Sequence, residues 1–349
     1  MESPPSSKEI IPFSPRGFPP RKLNTRAFSA DLSRARLALE EYNTTLEQIP
    51  FSSSFLVPFF SLEAIASLDS QKIPATLKDV LRAHHFRQKK DQHLDPILHY
   101  VHALSWSMKK CEHSGFSNAF ICALHKKIKK GSAHQAEIGV FRKKQNWIGP
   151  YGCAIDEAYF YPPAPKDVSS MMSKLVRYAN TKTKDPLLQI ALIFAQLLII
   201  HPFMDGNGRV ARLMVPLFLY RQKAISAPQL FMSDYFKRHR LRYFETLYQT
   251  TEENRWEPWI QFFMKGVAVQ ARKSQRLLAK IAHLHRMLPR DLNSKMIHFL
   301  FQNPVFSLAL FKKAGGTKRL LDMLIRLKWV RRDKEGYYLF SSLLKILPK

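Results

Sequence analysis

His201-Pro202-Phe203-Met204-Asp205-Gly206-Asn207-Gly208-Arg209-Val210-Ala211-Arg212 places a base, a carboxylate, two glycines, an amide and two arginines within twelve positions. Ahead of it, Ile190 to Ile200 is an apolar run without Gly or Pro, which predicts a buried helix that Pro202 ends. Behind it, Val210-Ala211-Arg212-Leu213-Met214-Val215 starts a second helix. Gly206, Asn207 and Gly208 therefore stand at a helix N-terminus, where free backbone N–H groups and the helix dipole attract anions. The glycines let several amides converge on one phosphate oxygen, and Asn207 offers a further donor. Asp205 is a hard oxygen ligand of the kind Mg²⁺ takes together with phosphates and water. Arg209 and Arg212, spaced i and i+3, share a helix face and suit successive phosphates. His201 remains as a general base for an attacking hydroxyl. Singly, each residue has an ordinary use, His201 as a helix C-terminal residue and the glycines as a turn; the constellation is what points to phosphate chemistry.

The string resembles the Fic motif, His-x-Phe-x-Asp/Glu-Gly-Asn-Gly-Arg-x-x-Arg, at every defining position. The resemblance implies a protein adenylyltransferase that moves AMP from ATP, with Mg²⁺, onto a Ser, Thr or Tyr hydroxyl of a protein, self-modification included. It implies His201 as catalytic base and Asp205 as metal ligand. Phe203, Gly206, Asn207, Gly208, Arg209 and Arg212 become nucleotide-binding, and Gly208 favours nucleotidyl transfer over phosphorylation. Phe141 to Gly149 followed by Ala158 to Pro165 resembles the family's flap, a β-hairpin that docks the target by strand addition. Asn146, Trp147, Ile148 and Gly149 are its target-docking residues, and the aromatic and β-branched runs around a Gly/Pro turn read the same way. Arg240-Leu241-Arg242-Tyr243-Phe244 is similar to a segment that puts Tyr243 near the nucleoside, although Phe244 stands where a second Tyr is usual. Trp256 and Trp259 read as core.

Upstream, Glu63 to Leu77 resembles the flanks of the family's inhibitory helix, Ser/Thr-x-x-x-Glu-Gly/Asn. Ser67 matches its start, but Gln71 stands where the Glu belongs and Lys72 where the Gly belongs. A neutral amide forms no ion pair with Arg212, so the expectation is that Gln71 leaves Arg212 free, and a weaker brake through a hydrogen bond of the amide stays open. Leu198 replaces another frequent Glu.

With 349 residues and 46% hydrophobic content, the chain is globular, and no apolar run reaches the length of a membrane span. The N-terminus lacks the form of a secretory signal, so the expected location is cytoplasmic, or a host cell after translocation, with no membrane partner. Cys111, Cys122 and Cys153 fit a reducing compartment, and the Cys111, His113, Cys122, His125 intervals miss the usual zinc spacings. The net charge of +28 favours polyanions or acidic proteins, and stands open between a solvated basic surface and a DNA or chromatin preference.

The expected fold is all-α, a Fic helical bundle with a small β-hairpin flap and a C-terminal winged helix-turn-helix module. Residues 1–30 read as a Pro-rich arm and 31–100 as a helical region with the degenerate inhibitory segment at 63–77, with Asp31 capping a helix through Leu32, Ala35, Leu39 and Tyr42. Residues 101–271 read as the catalytic core. In 285–349, Leu292 to Phe301, Phe306 to Lys313 and Lys318 to Leu327 read as helices, and Trp329 to Arg332 with Tyr337 to Phe340 as a two-stranded wing. Lys318, Arg319, Arg326, Arg331 and Arg332 suit phosphate contacts, and the alternatives of dimerisation, giving a homodimer, or target docking stay open. Two other functional readings also stay open, a DNA-binding regulator with a nucleotide-sensing core and a translocated effector that modifies a host protein.

Overall fold

The computed structural model describes residues 10–14, 17–49, 52–113, 115–131, 137–149, 153–289 and 291–348. Its helices in chain order are α1 (Thr25–Glu47), α2 (Leu56–Ser67), α3 (Leu77–Phe86), α4 (Asp95–His113), α5 (Asn118–Ile128), α6 (Pro165–Ala179), α7 (Pro186–Ile200) and α8 (Asn207–Arg221). They continue with α9 (Ser233–Arg238), α10 (Arg240–Glu252), α11 (Glu257–Met287), α12 (Ser294–Gln302), α13 (Leu308–Lys313), α14 (Lys318–Arg326) and α15 (Ser341–Ile346). Strands β1 (Val305–Phe306), β2 (Val330–Arg332) and β3 (Tyr338–Phe340) form one antiparallel sheet in the order β1-β3-β2. None of the described helices is long and apolar enough to cross a membrane.

The bundle is organised around α7. Its start is set by Asp185, whose carboxylate accepts from the Leu187 and Leu188 amides at 3.0 and 3.2 Å, with Pro186 in the first turn. A helix apolar all round must be enclosed, and α6, α8, α11 and α1 enclose it. Its two glutamines are buried as well; Gln189 donates to the Tyr178 and Thr181 carbonyls, which removes the cost of burying an amide. Trp259 is fully buried and donates its indole N–H to the Ala191 carbonyl at 2.8 Å. α1 lies along α11 and buries Leu32, Ala35, Leu39 and Tyr42 as their period requires. Asp31 is not the cap expected: α1 begins six residues earlier, at Thr25, and Asp31 is buried inside it and pairs with Arg34 at 2.6 Å. The arm accordingly ends at Asn24, and its first nine residues lie outside the described ones.

The C-terminal elements run helix, strand, helix, helix and two-stranded ribbon, with β1 in place of the start of the helix expected from Phe306. They share one core with the rest of the chain. Phe301 on α12 meets Phe55 edge-on at 5.4 Å, and Val305 and Leu339 of the sheet pack on Leu81 of α3. The turn joining β2 to β3 is fastened to the same helix and to the 3-10 turn after it: Lys78 and Arg82 of α3 lie 2.8 Å from Asp333 and 3.7 Å from Glu335, and Lys90 of the Lys89–Leu94 turn lies 3.7 Å from Glu335. The tip of the ribbon thus faces protein, while Lys318, Arg319, Arg326, Arg331 and Arg332 are exposed.

Candidate functional site

The chain leaves α7 through His201 in the left-handed region, φ 49°, its amide donating to the Leu197 carbonyl at 3.0 Å. This conformation turns the chain sharply and leaves the imidazole half-buried at the helix end. Its Nδ1 lies 3.2 Å from the Leu198 carbonyl, which can only accept; Nδ1 therefore carries the proton, and Nε2 keeps its lone pair. Leu198, a departure noted in the sequence, serves here through its main chain. Burial is the largest influence on the ring, lowering its pKa to about 4, so the imidazole is neutral at neutral pH.

Four residues on, the loop closes into α8. Gly206 is its N-cap at φ 86°, a backbone conformation that L side chains rarely adopt. The amides of Asn207, Gly208 and Arg209 come before the first intrahelical bond, from the Val210 amide to the Gly206 carbonyl, so they have no partner within the helix. Asn207 is not the free side-chain donor expected. It is buried, and both ends of its amide are used on Phe203, Oδ1 accepting from the Phe203 N–H at 2.8 Å and Nδ2 donating to its carbonyl at 2.7 Å. Asn207 thus staples the loop. Phe203 is likewise core, stacked flat on His125 with centroids 3.9 Å apart.

Asp205 points outward. Its Oδ1 accepts from the Gly206 amide at 2.6 Å, and its Oδ2 from Arg209 at 2.8 Å and Lys129 at 2.6 Å. Burial would raise this carboxyl, but the Arg209 charge and then the Lys129 hydrogen bond hold it down to about 2. Gly208 leaves room for Arg212, because a Cβ there would lie 3.0 Å from the Arg212 guanidinium. Tyr243 sits in an aromatic cluster with Phe194, Phe236 and Trp259, at 6.5, 5.0 and 5.9 Å. The Arg212 charge acts on its hydroxyl, whose pKa burial raises.

The flap differs from the hairpin expected. Among the described residues its two arms meet at a single bridge, Ile148 opposite Phe160, and a 3-10 turn occupies Ile155–Glu157. The reason is that the first arm is tied to the motif loop instead. Asn146 is buried and donates Nδ2 to the Phe203 carbonyl at 3.0 Å, and Gln145 donates to the Pro162 carbonyl at 2.8 Å. Trp147 is partly exposed and donates its indole N–H to the Cys153 carbonyl at 3.2 Å; Gly149 lies so close to Cys153 that a Cβ would come within 2.5 Å of its sulfur.

Arg142, read in the sequence only as part of the flap, is a buried anchor of the site. It is 4% exposed, and its guanidinium donates to carbonyls alone: His201 at 2.9 Å, Ile200 and Lys144 at 3.3 Å, and Pro163. Two of these are the last carbonyls of α7, where the negative end of the helix dipole stabilises a cation. Burial lowers its pKa to about 10, so it stays charged. Arg142 in this way fixes the peptide that carries His201.

Ser67, at the end of α2, reaches the motif: Arg212 donates Nε to its hydroxyl at 2.8 Å and Nη2 to its carbonyl at 3.0 Å. Gln71 is exposed at the end of a 3-10 turn. It makes no bond to Arg212 among the described contacts, yet the guanidinium is still not free, because Ser67 holds it. One turn earlier lies a carboxylate the sequence reading passed over. Glu63 is 3% exposed in the apolar run of α2, and its Oε1 accepts from Tyr100 at 3.2 Å and Ser233 at 2.5 Å. A lone acid in so apolar a helix is the signal that could have found it.

Burial raises the Glu63 pKa from the ordinary 4.5 to about 7, with the Ser233 hydrogen bond and the Arg212 charge opposing. A carboxyl whose folded pKa lies above its unfolded one adds stability fully present below about 4.5 and lost as pH rises through about 7. Glu63→Gln keeps the neutral hydrogen-bonding partner without the ionisation. It should abolish that slope, worth up to about 3 kcal/mol, and calorimetric melting from pH 4 to pH 8 checks it. An unaltered slope in the variant would place the titration elsewhere.

A family model for the Fic/DOC family matches residues 115–219, and one for the Fic/DOC family N-terminal region matches residues 29–109. The protein adenylyltransferase fic-1 of Caenorhabditis elegans is 32% identical over 121 residues, 34% of this chain and 22% of that protein. The protein adenylyltransferase Fic of Aedes aegypti is 30% identical over 145 residues, 41% of this chain and 26% of that one. The chain thus spans about a quarter of the length of the curated relatives it matches. Among solved structures, a Fic family protein from Desulfovibrio desulfuricans superposes with a TM-score of 0.63 at 17% identity, over 92% of this chain and 98% of that one. Two models of one family that together take in residues 29–109 and 115–219, a shared helical fold and an intact motif loop agree, and this chain belongs to the Fic/DOC family.

Proposed function

We propose that this chain transfers AMP from ATP to a Ser, Thr or Tyr hydroxyl of a protein. The observation that carries the reading is His201 itself, held neutral with its Nε2 lone pair uncommitted, beside a glycine-capped helix end that bears Asp205, Arg209 and Arg212. His201 Nε2 takes the hydroxyl proton as the oxygen forms its bond to the α-phosphorus, and the bond from that phosphorus to the pyrophosphate oxygen breaks. The amides of Asn207, Gly208 and Arg209, with the Arg212 guanidinium, stabilise negative charge on the phosphates, so positioning and electrostatics supply most of the acceleration. The names of relatives at about 30% identity support the same chemistry.

The donor set fits Mg²⁺. No group of three or more His, Cys, Asp or Glu able to hold a metal occurs among the described residues, but Mg²⁺ bound with a nucleotide needs only one or two carboxylates besides phosphate oxygens and water. Asp205, ionised and with its side chain 63% exposed, would hold it. When bound, the cation supplies charge neutralisation on the phosphates.

Intact-mass analysis of the full chain and of lysate proteins after incubation with ATP tests the proposal, with His201→Ala as the control. No AMP adduct on any protein under conditions where ATP binds would reject it.

Two of the five Arg212 N–H donors, one on Nε and one on Nη2, are committed to Ser67, and this aims the guanidinium away from a phosphate that would need the same donors. Ser67→Ala removes the hydroxyl acceptor and should raise initial transfer rates roughly two- to tenfold, the worth of one modest hydrogen bond. Gln71→Glu, at an exposed position, should change them little. A Ser67→Ala rate equal to or below that of wild type would show that the contact is not a brake.

A further inference from the structure

Asp205 is held by α5 as well as by its own loop. His125 and Lys129 stand at i and i+4 on one turn, which the Lys129 amide closes on the His125 carbonyl at 3.0 Å. The Gly139 amide donates to His125 Nδ1 at 2.9 Å, which leaves the ring proton on Nε2 to be donated to the Asp205 carbonyl, also at 2.9 Å. The imidazole is pressed against Phe203 on its face and against Gly206 at its edge, where a Cβ would come within 3.2 Å of Nε2. His125 thus fixes the main chain of Asp205. Lys129 takes the side chain, its ammonium 2.6 Å from Oδ2 and 18% exposed.

We infer that Lys129 is a built-in counter-cation of Asp205 that a divalent cation arriving with nucleotide must displace, and that His125 is the positioning residue that keeps Asp205 in its reach. The inference rests on the nucleotide-transfer reading above. A Mg²⁺ ion needs an oxygen at about 2.0–2.1 Å and repels any cation bound to the same atom. Oδ1 is engaged by the Gly206 amide, and Oδ2 already accepts two charged donors. Arg209 lies on the helix of the motif itself, 8% exposed and boxed in, whereas Lys129 extends from the end of α5 on a flexible stem. Lys129 is therefore the group that leaves. The ion pair it gives up is subtracted from the binding of the incoming cation, so Lys129 sets the cation concentration the site requires.

The test is isothermal titration calorimetry of a non-hydrolysable ATP analogue into the full chain across a Mn²⁺ series, reading the Mn²⁺ concentration at half-effect, with analogue binding in chelator as a metal-free reference. Lys129→Met and Lys129→Gln, the second in case the first fails to fold, should lower that concentration roughly tenfold, the worth of one charge-assisted hydrogen bond. Lys129→Arg, which keeps the charge, should stay near wild type. His125→Leu should raise the concentration several-fold by loosening Asp205, and His125→Gln, which retains a donor and an acceptor, should restore it. An unchanged half-effect in the neutral Lys129 variants overturns the inference. So does an increased one, which would make Lys129 a ligand of the phosphates. Failure of wild type to bind the analogue at any Mn²⁺ concentration would instead remove the nucleotide site, and the inference with it.

Discussion

His201→Ala should lower AMP transfer by about 10²- to 10⁴-fold, the usual worth of a positioned general base, and should leave the affinity for ATP close to that of wild type. The split follows from what the ring touches. Nδ1 is spent on the Leu198 carbonyl, and among the described residues no hydrogen bond joins Nε2 to the amides of α8 or to either motif arginine, so its loss costs the proton acceptor and no bond within the phosphate-facing group. Single-turnover transfer and equilibrium nucleotide binding, measured on the same preparation, check the two halves separately. A variant that turns over at the wild-type rate would dismiss His201 as base. The wild-type rate should also be flat from about pH 8 down to pH 5. With burial holding the ring pKa at about 4, the imidazole does not take up its proton at the ordinary 6.5, and the acid limb should fall near 4. A limb centred at 6.5 would mean that the ring is solvated when it works.

Arg142→Ala should be the most damaging substitution outside the motif. It empties a site in which four carbonyls, those of His201, Ile200, Lys144 and Pro163, converge on one buried guanidinium, and it takes from each of them that charged donor. Hydrogen bonds to a charged group are worth about 1.5–3 kcal/mol, so a loss of about 3 kcal/mol or more is expected, lowering the melting temperature on the order of 5 °C. Transfer should fall further than stability alone explains, since the His201 peptide is released together with the first flap arm. Arg142→Lys, a single ammonium in place of a planar fork, should recover part of the stability and little of the activity. The measurement is melting temperature beside kcat at a temperature where both variants are folded. An Arg142→Ala protein that melts with wild type would show that solvent replaces the guanidinium.

Much of the site was legible in the chain because it is local. His201, Asp205, Gly206, Arg209 and Arg212 lie within one helix end, one tight loop and one helix start, and an apolar run closed by Pro202 and restarted after two glycines allows few other backbones. The aromatic residues Trp256 and Trp259 were legible as core for the same reason, their spacing on a helix that buries one face. The flap was misjudged where local alternation competed with distant partners. Asn146 and Gln145 bond to the motif loop and to Pro162 rather than building a ladder, and one bridge remains. Asn207 was misjudged because an amide looks equally fit to meet a phosphate or a neighbouring peptide, and only the closed loop shows both of its ends used on Phe203.

What pattern and spacing determined by themselves is the reacting loop: which group can take a proton, which helix end meets an anion, and that the whole is set in an all-helical core. The tertiary structure decided what holds those groups and what competes for them. Arg142 meets His201 across 59 positions, Lys129 meets Asp205 across 76, and Ser67 meets Arg212 across 145. Arg, Lys and Ser are ordinary surface residues in sequence. They can act as anchor, counter-cation or brake only where packing removes water and aims a distant carbonyl, carboxylate or guanidinium at them, and no local periodicity records that.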